Sequence, residues 1–142
     1  MVTSENDEMK AWYSVRCHCG VVKGKFKASK DRFVAWDCNC SDCRMRGINQ
    51  IVILHDDFQL DMSEAAFQEA TIEYLWGTKT AKRRFCSTCG ILPWYRPRST
   101  PNDYGVTLTC VDWGENKPKI EIKKFDGQNY ETHISSYYKG EL

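Results

Sequence analysis

The sequence lacks the long apolar runs of membrane proteins and the apolar beginning of secreted ones. No apolar stretch approaches the ~20 residues that a membrane-spanning helix needs. The first ten residues, MVTSENDEMK, are polar and acidic, which is typical of neither a secretory signal nor a transit peptide. We therefore expect a soluble intracellular protein, located in the cytoplasm, with the nucleus as an alternative compartment and no membrane association.

The sequence also lacks an excess of charge of either sign. Its 20 Lys and Arg residues nearly balance 19 Asp and Glu residues, for a net charge of +1, and these charges are spread along the chain. A nucleic-acid-binding surface needs clustered basic residues, so we expect no direct nucleic-acid binding. Protein partners are not excluded by this balance.

No repeat, low-complexity segment or linker rich in Pro, Gly and Ser divides the 142 residues. A chain of this length supports one domain with a modest core. We expect a flexible N-terminus over residues 1–12, one domain over residues 13–135 and a short C-terminal tail over residues 136–142.

Short segments rich in β-branched and aromatic residues recur between turn residues, which predicts a mainly β protein. They read VVKGKF, RFVAW, INQIVIL, TIEYLW, YGVTLTCVD and KIEIKKF. Their spacing suits a small antiparallel β-fold. The stretch SEAAFQEATIEY has helical character, because Ser63 could cap a helix and Ala65 and Ala66 are good helix formers. We predict a short helix within residues 63–74, and turns at FDGQ and PRSTPND.

The usual arrangements of acid–base and nucleophilic catalysis are missing. The three histidines do not form a set: His18 lies between two cysteines, His55 follows the strand segment IVIL, and His133 lies near the polar C-terminus. No Ser/His/Asp group or carboxylate pair can be argued from the sequence, so we assign no general acid or base.

What the sequence has in abundance is cysteine, with eight residues in a short chain. Seven of them form a pair, a triplet and a second pair: Cys17 and Cys19; Cys38, Cys40 and Cys43; Cys86 and Cys89. Without a secretory signal, tight clusters favour metal binding over a disulfide framework. Gly20 and Gly90 follow the two pairs and permit the tight turn of a metal-binding knuckle. The two pairs therefore look like half-sites of similar construction.

The spacing alone leaves several partitions of the cysteines open. Four thiolates close a structural zinc site, whereas three leave one position for a substrate or water. The two pairs could form one closed site and leave the triplet open. Alternatively, Cys110 could complete the triplet, or one pair could join two members of the triplet.

An open three-thiolate site favours one kind of chemistry. Three thiolates around a divalent cation leave a net charge of minus one, which makes zinc a weaker Lewis acid than three neutral imidazoles would. A zinc ion with three thiolate ligands is therefore poorly suited to generating hydroxide from bound water. Holding a further thiol as thiolate is more plausible, so the triplet points towards thiol substrates.

Three ordered motifs, CHCG, CNCSDC and RRFCSTCG, together resemble the glutathione-dependent formaldehyde-activating enzyme family. The later segments YRPRSTPNDYGVTLTCVDWG and KKFDGQNYE are most similar to its centromere protein V branch, and the resemblance extends from about Tyr13 to Tyr130. It implies the β-tent zinc fold that this family shares with methionine-R-sulfoxide reductases.

The resemblance also implies roles for the cysteines and two zinc ions per chain. Cys17, Cys19, Cys86 and Cys89 match the ligands of a structural zinc, and Cys38, Cys40 and Cys43 match those of a second, open zinc at the catalytic site. The implied substrate is glutathione or a glutathione adduct. The implied reaction joins glutathione to formaldehyde as S-hydroxymethylglutathione, which is a carbon–sulfur lyase step in reverse.

The sequence departs from the family's usual pattern at two places, and the resemblance also suggests an alternative function. Val15 occupies a position where the family usually has glycine, and the segment between Phe58 and Tyr74 looks a few residues longer than usual, which could reshape a pocket edge. The centromere protein V branch is associated with chromatin and microtubule roles. The alternative function is therefore a non-catalytic zinc module for protein interaction.

Other residues have both a structural and a functional interpretation. Cys110 lies in an alternating strand segment, which indicates a buried thiol; the alternatives are a sulfoxide-reducing nucleophile or a weak metal ligand. Arginines next to the clusters could offset thiolate charge or bind a substrate carboxylate, but surface charge is the simpler interpretation. They are Arg44, Arg46, Arg83 and Arg84. The segment PWYRPR could line a pocket mouth or fill the core.

Overall fold

The structure is a computed structural model that describes residues 9–115 and 117–141. Most of the predicted N-terminal segment, residues 1–8, lies outside the described residues, and the first strand begins at Lys10. Among the described residues, no helix has the length and apolar character needed to cross a membrane.

The described chain contains eleven strands and three α-helices. The strands are β1 (Lys10–Arg16), β2 (Lys23–Ser29), β3 (Arg32–Cys38), β4 (Gln50–Ile53), β5 (Phe58–Leu60), β6 (Thr71–Tyr74), β7 (Lys82–Cys86), β8 (Trp94–Arg96), β9 (Tyr104–Thr107), β10 (Val111–Asp112) and β11 (Lys119–Phe125). The helices are α1 (Ser41–Arg46), α2 (Glu64–Ala70) and α3 (Tyr130–Tyr138). Short 3-10 turns cover His55–Asp57, Leu108–Cys110 and Gly127–Asn129. The predicted mainly β class is confirmed.

The strands form two sheets. One has the order β10-β1-β2-β5 and the other the order β11-β3-β4-β9-β8-β7-β6. The pairs are antiparallel, as expected, except for β3 and β11, which run parallel and make the larger sheet mixed. The parallel register places Cys38 opposite Phe125. It therefore brings the start of the cysteine triplet next to the C-terminal part of the chain.

One apolar core joins the two sheets. In β2, Gly24, Phe26 and Ala28 alternate inward, as expected for a strand with one buried face. Phe26 and Val106 are fully buried, and each contributes about 1.5–3 kcal/mol through the apolar surface that it removes from water. Cys17 and Cys86 belong to the same core, so the two cysteine pairs lie where the sheets meet.

The predicted helix within residues 63–74 is confirmed for its first part only. It spans Glu64–Ala70, and Ser63 Oγ caps it by accepting a hydrogen bond of 3.1 Å from the Ala66 amide. Residues 71–74 instead form β6, which pairs with β7. The β-branched and aromatic residues Thr71, Ile72 and Tyr74 favour a strand once a partner strand is available.

Two helices were not predicted. Helix α1 is only six residues long; it ends at Gly47, whose φ of 67° lies in the left-handed region that glycine adopts readily. Helix α3 has the sequence YETHISSYY and no fully buried residue, so it lacks a clear apolar stripe. Neither segment carries the periodicity that identifies a helix from sequence.

Candidate metal centres

The structure brings the two cysteine pairs together into one cluster. The four sulfur atoms of Cys17, Cys19, Cys86 and Cys89 all lie within 4.8 Å of one another. The Cys17 and Cys19 sulfurs are 3.5 Å apart, and those of Cys19 and Cys86 are 3.6 Å apart. A tetrahedral zinc ion with Zn–S bonds of about 2.3 Å holds its sulfurs about 3.8 Å apart. Both the donor set and its spacing therefore fit a metal ion such as zinc.

Two similar knuckles build this four-sulfur cluster. In the first, the Cys17 amide donates to the Val22 carbonyl and the Gly20 amide donates to the Cys17 carbonyl, at 3.0 and 3.1 Å. In the second, Cys86 and Gly90 make the corresponding bonds, at 2.9 and 2.8 Å. Gly20 and Gly90 have φ values of 81° and 77°, which side-chain-bearing residues rarely adopt.

The cysteine triplet forms a separate cluster. The sulfurs of Cys38, Cys40 and Cys43 also lie within 4.8 Å of one another. Cys38 ends β3, Cys40 precedes α1, and Cys43 lies inside α1. The Cys40 sulfur accepts a hydrogen bond of 3.4 Å from the Cys43 amide and so caps the helix. Neither cluster includes Cys110 among the described residues, and the two pairs group with each other rather than with members of the triplet.

The electrostatics of the triplet favour a cation. Hydrogen bonds from Cys38 and Cys43 lower the pKa of Cys40 well below that of an ordinary thiol. The hydrogen bond with Cys40 raises the pKa of Cys38, and those with Cys38 and Cys40 raise that of Cys43. The three thiol groups, with their protons, therefore interact strongly with one another. A divalent cation would replace these protons and hold all three as thiolates.

A turn in the C-terminal part of the chain fixes the segment that carries the triplet. Asn39 lies between two of the cysteines, and its Nδ2 donates to Asp126 Oδ1 at 3.0 Å. Asn39 Oδ1 accepts from the Gln128 amide at 3.0 Å, and the Asn39 carbonyl accepts from Gln128 Nε2 at 3.1 Å. The Asn39 side chain therefore anchors the turn at residues 126–128 against the segment that carries the triplet. We call this hydrogen-bonded group, Asn39, Asp126 and Gln128, the latch.

The triplet opens into a cavity of about 130 Å³ that is lined mostly by apolar side chains. Its aromatic wall consists of Trp36, Trp76, Tyr95, Phe125, Tyr130 and Tyr137. Helix α3 contributes two of these rings, and the Tyr137 ring centroid lies 5.5 Å from that of Trp36. The unpredicted C-terminal helix therefore forms one side of the cavity. We call this space the triplet cavity.

Arg83 is a buried cationic residue of the triplet cavity. It is only 5% exposed, its Nε lies 2.6 Å from Asp42 Oδ2, and its guanidinium lies 4.7 Å from the centre of the Tyr95 ring. Burial opposes its charge, but electrostatic interactions with Tyr95, Asp42 and Cys43 raise the pKa of Arg83 above its ordinary value. Interpreting Arg83 as surface charge was therefore wrong, and it can offset thiolate charge.

The other arginines near the clusters lie elsewhere. Arg44 is exposed, and Arg46 donates to Asp42 at 3.1 Å. Arg84 pairs with Glu73 at 3.5 Å. In PWYRPR, Trp94 is part of the core and Tyr95 lines the triplet cavity, so this segment serves both of the roles considered.

Cys110 and the histidines lie outside both clusters in the described chain. Burial, together with electrostatic interactions with Cys17 and Cys89, raises the pKa of Cys110 to about 11. A thiol that stays protonated near neutral pH is a poor nucleophile. His55 stacks on Tyr104 and His133 contacts Phe125 edge-on, so both have structural partners.

Sequence reasoning missed several residues of the triplet cavity. Gln50, Phe125, Gly127 and Tyr130 line it, although FDGQ was interpreted only as a turn. The signal was present in KKFDGQNYE, which contributed to the family resemblance without any physical role being assigned to it. Parallel pairing of β3 with β11 brings this motif to the triplet, and no local pattern in the sequence specifies that pairing.

Comparisons with known proteins agree with these features. The family model described as glutathione-dependent formaldehyde-activating enzyme matches residues 12–126. Among solved structures, the chain is similar to a crystal structure of a Rhodobacter sphaeroides protein, with a TM-score of 0.60 and 28% sequence identity. The match covers 76% of this chain and 99% of the other.

Proposed function

Since this chain belongs to the glutathione-dependent formaldehyde-activating enzyme family, we propose that it is a zinc-dependent enzyme that forms or cleaves a carbon–sulfur bond in a thiol adduct. The expected substrate pair is glutathione and formaldehyde, with S-hydroxymethylglutathione as the adduct. Two zinc ions would bind per chain, one at each cysteine cluster. We expect this activity in the cytoplasm.

The observation that carries this proposal is the difference between the two clusters. The four-sulfur cluster has the complete ligand set of a structural zinc site and joins the two sheets. The triplet has three sulfurs and opens into a cavity. A metal site with three protein ligands and access from a cavity is the arrangement of a catalytic zinc.

The residues of the triplet cavity suit a thiol as substrate. Zinc held by Cys38, Cys40 and Cys43 would lower the pKa of an incoming thiol and favour its thiolate form. Arg83 lies beside the thiols and offsets part of their negative charge. The aromatic side chains around the cluster would limit the access of water to the place where the sulfur reacts.

The reaction itself needs no oxidant or reductant. The substrate sulfur donates an electron pair to the carbonyl carbon of formaldehyde, the carbon–oxygen π bond breaks, and the thiol proton is transferred to the oxygen. Cleavage of the adduct reverses these steps. Tyr95 lies in the cavity wall, and burial raises its pKa well above the ordinary value, so it remains a neutral hydroxyl.

The proposal is tested by the rate of exchange between free and adduct formaldehyde. Glutathione and ¹³C-formaldehyde also combine without an enzyme, so the interconversion, which exchange spectroscopy measures directly, is compared with and without the protein. The zinc-loaded protein should accelerate it, Cys110→Ser should accelerate it equally, and Cys40→Ser should not accelerate it. A protein that binds two zinc ions and leaves the exchange rate unchanged would refute the enzymatic proposal.

The second candidate is a non-catalytic zinc module for protein interaction. Strand β6 lies at the edge of the larger sheet. Four large apolar residues in and after it are exposed, namely Ile72, Tyr74, Leu75 and Trp76, with 51%, 44%, 39% and 37% of their surface accessible. An apolar edge strand can pair with another chain. This candidate is favoured if the exchange rate is unchanged and alanine substitution of Ile72 and Trp76 abolishes co-purification of a partner.

A further inference from the structure

Gln50 is a buried polar residue whose side chain has no assigned role in the fold. It begins β4, its side chain is only 7% exposed, and it lines the triplet cavity together with Cys38, Cys40 and Cys43. Its Oε1 atom is buried and accepts no hydrogen bond from the described residues. Most buried side-chain oxygens in proteins have a partner, so an unpaired one beside a candidate site needs an explanation.

The backbone of Gln50 is paired with a neighbouring strand on each side, so only its side chain is free to change conformation. Gln50 pairs with Trp36 on one side and with Thr107 on the other. These neighbouring strands hold its Cα in place, and its side chain extends from a rigid element. A residue held in this way is well suited to recognising a ligand group, because little ordering is needed on binding.

The charged neighbours of Gln50 in the cavity already have partners. Arg83 is paired with Asp42, and Arg98 is paired with Glu131 and lies over the Tyr130 ring at 3.8 Å. A glutamine amide offers both an N–H donor and a carbonyl acceptor. Because its last torsion is broad, either atom can be turned towards a ligand. The group that matches both functions is another amide.

We infer that the Gln50 side chain binds an amide group of a thiol substrate whose sulfur lies at the triplet. The substrate class is then a cysteinyl amide or peptide, not a simple alkyl thiol. This inference rests on the proposed function, because it takes the triplet as the place where the thiol binds. It adds a specificity determinant that neither the cysteine motifs nor the metal chemistry supplies.

The test compares thiols that differ in their amide groups. Binding of glutathione, N-acetylcysteine amide and 2-mercaptoethanol to the zinc-loaded protein is measured by calorimetry, for the parent protein and for Gln50→Met. The methionine side chain has a similar length and shape but cannot form these hydrogen bonds. We expect affinity for the two amide-bearing thiols to fall about tenfold, as loss of a buried hydrogen bond predicts. Affinity for 2-mercaptoethanol should change less than twofold.

Gln59→Met is the matched control, because Gln59 is exposed in β5 and lies outside the triplet cavity. It should bind all three thiols as the parent does. Equal weakening of all three thiols by Gln50→Met, or no weakening of any, would overturn the role of Gln50. If none of the thiols binds even the parent protein, the proposed function itself fails, so the two failures are distinguishable.

A stability measurement separates this role from a structural one. Removing an unpaired buried oxygen in favour of an apolar side chain should leave the urea midpoint of the zinc-loaded protein unchanged or raise it. A structural hydrogen-bonding role predicts a lower midpoint for Gln50→Met, and such a decrease would also overturn the inference. If Gln50→Met does not fold, Gln50→Leu provides the same comparison with a second apolar side chain.

Discussion

Gly127 lies against the sulfur of Cys38 so closely that a Cβ atom placed on it would be 2.5 Å from that sulfur. The same Cβ would be 2.9 Å from the Cys40 Cβ. These distances are shorter than real Cβ contacts, so only glycine fits at this position. The turn after β11 therefore forms part of the wall of the triplet, although 89 positions separate the two residues in the sequence.

The Gly127→Ala variant should lose the metal at the triplet and keep the metal at the four-sulfur cluster. The added methyl group must displace Cys38 or Cys40, whose neighbours are backbone and a ligand sulfur rather than a flexible side-chain end. Metal analysis of the purified variant should show half the zinc content of the parent. Gly114→Ala is the matched control, because Gly114 has a positive φ of 64° but open space around its Cα. A full metal content in Gly127→Ala would show that this close approach is unimportant.

Breaking the latch should lower the affinity for metal at the triplet more than it lowers the stability of the fold. Asn39→Ala removes two side-chain hydrogen bonds, to Asp126 and from the Gln128 amide. Residues that orient metal ligands typically affect metal affinity by about 10–100-fold. We expect a loss of at least about tenfold in zinc affinity at the triplet, measured by competition with a chelator. Asn102→Ala, in an exposed loop, should leave both affinities unchanged; an equal loss in this control would remove the latch from the explanation.

The two cysteine clusters should differ in their contribution to stability. Cys89→Ser breaks the cluster that joins the two sheets, and a structural zinc can contribute on the order of 10 kcal/mol of apparent folding free energy. Cys40→Ser instead removes a ligand from the triplet, which lines a cavity and does not join the two sheets. We expect Cys89→Ser to be unfolded or aggregated, and Cys40→Ser to keep the circular dichroism spectrum of the parent while binding one zinc fewer. Equal unfolding of the two variants would contradict this division of roles.

Replacement of Cys110 should have little effect on metal content or on catalysis. Its thiol lies outside both clusters of the described chain, and its pKa of about 11 keeps it protonated near neutral pH. Cys110→Ser should bind two zinc ions and accelerate the formaldehyde exchange as the parent does. Loss of the exchange activity, or a methionine sulfoxide reductase activity that depends on Cys110, would support the sulfoxide-reducing alternative instead.

The sequence was informative wherever the relevant signal is local. The Cys-x-Cys and Cys-x-x-Cys spacings and the glycines that follow them identify knuckles, because a tight turn and two thiols are needed within a few residues. The helix at Glu64–Ala70 was predictable from its Ser63 cap and its alanines. The end of that helix was not, because Thr71 to Tyr74 adopt a strand only when β7 is beside them.

The non-local features of the site could not be derived in the same way. The position of Gly127 next to Cys38 depends on the parallel pairing of β3 and β11. Arg83 looked like surface charge because burial of an arginine requires a partner, and Asp42 is 41 positions away in the sequence. Gln50 gave no signal at all, since a glutamine at the start of a strand is usually exposed.

In the proposed function, the metal at the triplet accepts a thiol from outside the chain. Absorption spectroscopy of the cobalt-substituted protein tests this binding most directly, with Cys40→Ser as the variant that lacks this metal. Adding glutathione to the parent should increase the sulfur-to-cobalt charge-transfer absorption by about one further thiolate per chain, with saturation. It should leave the spectrum of Cys40→Ser, which retains the four-sulfur site, unchanged. A parent protein that binds two cobalt ions and shows no spectral change at saturating glutathione would contradict the account.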